Sequence, residues 1–168
     1  LLTAKPLQQP SLSEIPRDGT IVILDQVTDP HNVGAIMRSC AAFSVRALIT
    51  TERHSAAQSG VFFKAASGAF EHVPYVKVGN LARAMEELKA LGFKLIGLDS
   101  EAETPIASVK ATRPLGIVLG AEGKGLRQLT RDTCHVMTRL ALPGAIVSLI
   151  VSNAAAVALY ATSETTPD

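Results

Sequence analysis

Three segments of this sequence place polar or glycine residues at the mouth of an apolar strand or helix: Asn32-Val33-Gly34 with Arg38, the loop that holds Glu122, and the stretch that opens at Ser148. Asn32 and Arg38 belong to Asn32-Val33-Gly34-Ala35-Ile36-Met37-Arg38. Helical spacing there sets Gly34 and Arg38 one turn apart, while Val33, Ile36, Met37 and Cys40 can pack inward. An arginine so placed can grip a phosphate bidentately or hold a surface carboxylate. Glu122 lies in the glycine loop Leu119-Gly120-Ala121-Glu122-Gly123-Lys124-Gly125-Leu126. A loop between an apolar strand and a helix can offer backbone amides to a cofactor, or simply turn the chain. Ser148 opens Ser148-Leu149-Ile150-Val151-Ser152-Asn153 ahead of an alanine-rich helix, which it could N-cap.

Other chemistries lack their residues. Lys124 is followed by Gly125 rather than Ser or Thr, and Gly120 and Gly123 are too far apart for a dinucleotide fingerprint, so ATP or NAD is a distant alternative. His31, His54, His72 and His135 show no metal-ligand spacing, and no metal is expected. No serine sits in a nucleophile elbow.

Positioning these groups falls to an α/β chain. Apolar runs at Thr20–Val27, Val45–Thr50, Val73–Val78, Phe93–Asp99, Leu115–Leu119 and His135–Leu140 predict six strands. Asp29-Pro30 predicts the start of a helix running to about Phe43, and Asn80 caps another that Gly92 closes. Thr51 to Phe63 reads as a polar loop carrying Arg53, with a short helix around Lys64. Leu126–Thr133 predicts a short helix, and the last helix runs from about Ser148 to Ala161. Strands alternating with helices imply a mainly parallel six-stranded sheet flanked by helices.

With 168 residues, a single domain is expected over 19–168, and the Pro-, Gln- and Ser-bearing stretch 1–18 reads as a linker remnant. A formal net charge of +1 excludes a strongly basic nucleic-acid glove but allows a local patch. Cys40 and Cys134 make no disulfide framework, which fits a reducing, cytoplasmic setting. Ala145 to Ser163 carries no charge, yet its alanines, Ser148, Ser152 and Asn153 argue for a buried helix and against a membrane partner.

Taken in order, the three motifs resemble those of the SpoU branch of the SPOUT RNA methyltransferases. They read Asn32-x-Gly34-x-x-x-Arg38, Leu119-Gly120-Ala121-Glu122-Gly123-x-Gly125 and Ser148-Leu149-x-Val151-Ser152, and Lys64-Ala65-Ala66-Ser67-Gly68-Ala69 with Val73-Pro74 is similar to the middle segment. The similarity spans roughly Ile21 to Tyr160 and is strongest to the 23S ribosomal RNA guanosine 2′-O-methyltransferases. It implies S-adenosylmethionine as cofactor, methyl transfer to a ribose 2′-hydroxyl, a C-terminal deep trefoil knot and a homodimer with a shared active site. Carried onto this chain, Gly120, Leu140 and Leu149 would bind the cofactor, with Leu142 and Asp99 added. Asn32, Arg38, Glu122 and Ser148 would form the catalytic set, and Asn32, Arg38, Arg53 and Lys64 would face 23S ribosomal RNA.

The sequence departs from the family at two places. Ile150 stands where relatives carry asparagine, and an isoleucine cannot supply the hydrogen bonds of an amide. A catalytically weakened module that still binds RNA or cofactor is therefore the alternative function. In Leu140-Ala141-Leu142-Pro143 the proline comes later than in relatives, which leaves open which leucine meets the cofactor.

Overall fold

The computed structural model describes residues 8–163. β1 (Thr20–Asp25) is buried along its whole length. Its alternating side chains explain the unbroken apolar run: Val22 and Leu24 enter one core, Ile21 and Ile23 the other. α1 (Pro30–Ala42) follows, its first turn capped by Asp29, whose carboxylate accepts from His31 N–H at 2.9 Å. Then come β2 (Leu48–Thr51), α2 (Gly60–Ala66), β3 (Tyr75–Val78), α3 (Leu81–Ala90) and β4 (Lys94–Leu98). The chain ends its ordered elements with β5 (Thr104–Pro105), β6 (Leu115–Gly120), α4 (Gln128–Thr133), β7 (Val136–Arg139) and α5 (Val151–Thr162). Asn80 caps α3 as its residue type predicts, accepting from Arg83 N–H at 3.0 Å.

The strands form one sheet in the order β3-β2-β1-β6-β4-β7-β5, and every neighbouring pair is parallel. α1, α2 and α5 cover one face, where Val33, Phe62 and Ala155 meet Val22 and Leu24. α3 covers the other, where Leu81, Met85 and Leu88 meet Ile21 and Ile23. All loops that follow β1, β6, β4 and β7 therefore open on one rim, the carboxyl ends of parallel strands, where such sheets take ligands.

Several expectations change. The sheet has seven strands rather than six, because Thr104–Pro105 pairs with Thr138 and Arg139 of β7. A two-residue strand carries no periodicity to read. α2 begins at Gly60, inside the stretch read as polar loop, because Ser59 Oγ accepts from Phe62 N–H at 3.4 Å and Phe62 is buried. α5 begins at Val151, and Ser148 does not cap it: the N-cap position is Ile150, which makes no side-chain capping bond. Gly34 is buried against α2, where a Cβ would come within 2.6 Å of Ala65 Cβ, so its job is close helix packing.

Within the stretch read as a linker remnant, residues 1–7 lie outside the described residues. Further along, Leu12 and Ile15 are buried against α3, and Gln9 Nε2 donates to the Lys77 carbonyl at 2.9 Å. No helix among the described residues is long and apolar enough to cross a membrane.

Candidate active site

The glycine loop is shaped by its own backbone. β6 ends at Gly120, in register with Asp25 of β1, and the chain doubles back so that Gly125 N–H donates to the Ala121 carbonyl at 2.8 Å. Gly123 (φ 75°) and Gly125 (φ 65°) occupy the left-handed region that favours glycine. Gly120 has no room for a side chain, because a Cβ there would collide with the Gly125 carbonyl group. The far end of the loop is anchored by a buried charge. Asp25 accepts from Arg127 N–H at 2.9 Å and from Arg127 Nε at 2.7 Å. Its carboxylate is fully buried, while the Arg127 side chain is about half exposed.

Beside this loop lies a cavity of about 660 Å³. It is bordered by Gly120, Leu140, Leu142, Leu149, Asp99, Glu122 and Ser148, which the sequence singles out, and by Ile150. Four segments therefore converge here: the loops after β4, β6 and β7 and the start of α5. Glu101, Lys124, Arg131 and Ala154 also border it and were not anticipated. Asp99 accepts from Glu101 N–H at 3.0 Å and is paired with Arg131. The Glu101 amide is the main reason its carboxyl sits below the usual carboxylate range; Arg131 adds to this and partial burial opposes it. An Asp–Arg pair formed across 32 residues has no local signal by which sequence reading could find it.

Glu122 links three elements. Its Oε1 accepts from Asn32 Nδ2 and from Val151 N–H, each at 3.4 Å, and Ser152 Oγ donates to Asn32 Oδ1 at 3.3 Å. The first amide of α5, one of the orphan donors of a helix start, thus turns to the glycine loop. Asn32 and Ser152 bond each other directly beside this carboxylate, and neither borders the cavity; Ser152 is not among the site residues expected from the sequence.

Arg38, Arg53 and Lys64 do not border the cavity. Arg38 is exposed on α1 and makes no ion pair among the described residues. Lys64 is exposed on α2, and Arg53 lines a second, smaller cavity. His135 is structural: Leu95 N–H donates to its Nδ1 at 2.8 Å, and its own N–H donates to the Leu95 carbonyl at 2.9 Å. Among the described residues no group of His, Cys, Asp and Glu could hold a metal ion.

Comparison with known proteins gives consistent results. The model of the SpoU rRNA Methylase family matches residues 19–160. The 23S rRNA (guanosine-2′-O-)-methyltransferase RlmB of Nitrosomonas europaea is 42% identical over 142 residues, covering 84% of this chain and 55% of that protein. RlmB of Vibrio vulnificus is 44% identical over 140 residues, covering 83% of this chain and 57% of that protein. The chain thus spans little more than half the length of these relatives. Among solved structures, the SpoU methyltransferase AviRb from Streptomyces viridochromogenes in complex with AdoMet superposes with a TM-score of 0.80 at 28% identity, covering 90% of this chain and 60% of that one. The A. aeolicus TrmH/SpoU tRNA modifying enzyme gives a TM-score of 0.75 at 26% identity, covering 90% and 77%.

Proposed function

The chain belongs to the SpoU rRNA methylase family, and on that premise we propose that it transfers a methyl group from S-adenosylmethionine to a ribose 2′-hydroxyl of RNA, a guanosine of 23S ribosomal RNA. The observation that carries this reading is the cavity of about 660 Å³ on the carboxyl rim of the sheet, bordered by both the glycine loop and the start of α5. Its size suits a nucleoside-sized ligand. Its wall fits this cofactor: Leu140, Leu142 and Leu149 offer apolar surface to an adenine, while Asp99, Glu101 and Glu122, set among Lys124 and Arg131, offer partners to a ligand that carries both cationic and anionic groups.

When bound, S-adenosylmethionine supplies an electrophilic methyl group on a sulfonium and leaves a neutral thioether. The chain's own residues then have three tasks: to align the ribose hydroxyl, help its proton leave and steady the developing alkoxide. Glu122, held by Asn32 and by the start of α5, fixes the glycine loop beside the cavity. Ser148 borders the same cavity. Arg38 does not border this chain's own cavity, so in a shared site it acts from the second copy, as a cation toward RNA phosphate and alkoxide rather than as a base. A guanidinium keeps its proton at neutral pH, and a phosphate alongside favours the charged form further. The proton leaves to water or another acceptor.

Further parts of the reading draw on family membership. The segment from β7 to α5 forms the deep trefoil knot, and two copies share the active site. The outward apolar side chains of α5, Val157 and Tyr160, support such a pairing. Free Cys40 and Cys134 and a ribosomal RNA substrate support a cytoplasmic location. Residues 19–168 form the catalytic domain.

The test has two arms. Calorimetric titration with S-adenosylmethionine, with ATP and NAD as controls, should show selective binding. Transfer of labelled methyl to 23S ribosomal RNA, followed by nucleoside mapping, should place it on a guanosine ribose. Binding of ATP or NAD in preference to S-adenosylmethionine would overturn the assignment.

A further inference from the structure

On the same rim of the sheet, beyond the Asp25–Arg127 pair, lies a second cavity of about 340 Å³. It opens between the ends of β2 and β3 and the amino ends of α3 and α4, and none of the residues lining it borders the first cavity. Arg53, Arg127 and His54 line it, and no Asp or Glu does. The guanidinium of Arg53 is exposed and makes no hydrogen bond or ion pair among the described residues. Arg127 is different, because Asp25 holds its Nε and Nη2 while about half of its side chain stays open.

The backbone around this cavity is held in unusual conformations. Gln26 (φ 57°) and His54 (φ 55°) are non-glycine residues in the left-handed region, and both line it. Such residues cost free energy and persist where surrounding structure enforces them. Here they place an amide and an imidazole beside two guanidinium groups. The unpartnered guanidinium of Arg53 suits a phosphate better than a neutral ligand, and Arg127, already held by Asp25, adds fixed positive charge to the wall. β2 stands two strands from β6 in the sheet order, a spacing of roughly 10 Å between those strands along the rim. One RNA strand crossing that rim can meet both.

We propose that this cavity seats a backbone phosphate of the RNA beside the target nucleotide, with Arg53 as the contacting cation, His54 next to it and Arg127 as a fixed charged wall. The proposal rests on the RNA methyltransferase reading above. A phosphate seat reads no bases, so it adds affinity equally for all sequences. It also supplies positive charge where the chain needs it, given a net charge of only +1.

The experiment is fluorescence anisotropy of the full chain with a labelled single-stranded RNA 12-mer of mixed sequence, titrated across a range of salt. Arg53→Ala should weaken binding about tenfold and reduce the slope of log affinity against log salt by about 0.7, one phosphate contact on a single strand. Arg53→Lys should restore most of the slope. Calorimetry with S-adenosylmethionine should give the same affinity for all three proteins. Unchanged RNA affinity and slope in Arg53→Ala overturn the proposal, as does a loss of S-adenosylmethionine binding of the same size, which would make Arg53 a structural residue. Wild-type protein that binds S-adenosylmethionine but no RNA removes the phosphate seat and leaves the cofactor reading standing. Protein that binds neither removes both. Saturation by inorganic phosphate that RNA cannot displace would mean the cavity takes a free anion, and the proposal falls.

Discussion

Asn32 and Glu122, 90 residues apart in sequence, are joined by a hydrogen bond from Asn32 Nδ2 to Glu122 Oε1. The same oxygen takes the Val151 amide, so the start of α1, the glycine loop and the start of α5 are fixed to one carboxylate. The arrangement is weak bond by bond, since each contact spans 3.4 Å. Its value lies in closing a ring of three elements around a cavity.

That ring predicts coupling. Asn32→Ala and Glu122→Ala should each lower affinity for S-adenosylmethionine, and the double variant should lose less than their sum, with an interaction of about 1 kcal/mol. Glu122→Gln, which keeps an acceptor oxygen, should retain more affinity than Glu122→Ala. Strict additivity in calorimetry would mean that the two residues act independently.

Ile150 occupies the N-cap of α5 without any capping bond and is 54% exposed at the cavity's edge. Asparagine is among the best residues at such a position and isoleucine among the worst. Ile150→Asn should therefore stabilise the fold by about 1 kcal/mol in urea denaturation and raise methyl-transfer turnover. A gain in stability with unchanged turnover would assign position 150 to the helix alone.

Gly120→Ala tests the loop. Its Cβ would fall within 2.6 Å of Leu126 N, with backbone rather than a flexible side chain in the way. The loop must open to admit it, at a cost of about 1–3 kcal/mol. We expect a large loss of S-adenosylmethionine affinity alongside a moderate drop in the urea midpoint. Retention of wild-type affinity would show that the loop's closed shape is not what the cofactor meets.

Alkaline pH should loosen the fold. Burial pushes the Cys134 thiol up to about 12, with Lys89 and Arg131 pulling the other way, and the fully buried Cys40 thiol is raised by the same cause. In the unfolded chain thiols ionise near about 8.5. Above that value the unfolded state gives up protons that the native state keeps, so stability falls as pH rises. The expected slope is roughly 1.4 kcal/mol per pH unit for each thiol, across the window from about pH 8.5 to about 12 for Cys134. Urea midpoints at about pH 8 and about pH 10 would read it, and Cys40→Ala with Cys134→Ala should flatten the slope.

How much of this was legible depended on whether the signal was local. The six longer strands and the caps at Asp29 and Asn80 announce themselves through apolar runs and short-range side-chain chemistry. The glycine loop was visible as a loop, and the residues marked there do gather at one cavity. Ser148 suits a cap by its residue type, one of two roles its sequence leaves open. The helix instead starts three residues later, where Glu122 meets its first amide from 29 residues away. The pair of Asp25 with Arg127, 102 residues apart, and the second cavity beyond it exist only once the sheet has assembled.

The sheet order has a consequence for synthesis. β1 and β4 both leave the ribosome before β6, yet in the finished protein β6 sits between them. Neither can find its lasting neighbour on that side until residues 115–120 arrive. A growing chain therefore carries two open hydrogen-bonding edges around apolar strands, the kind of surface that invites pairing with another nascent chain. Leu115-Gly116-Ile117-Val118-Leu119 closes that seam in a single step, and a ribosome that stalls before it leaves the seam open.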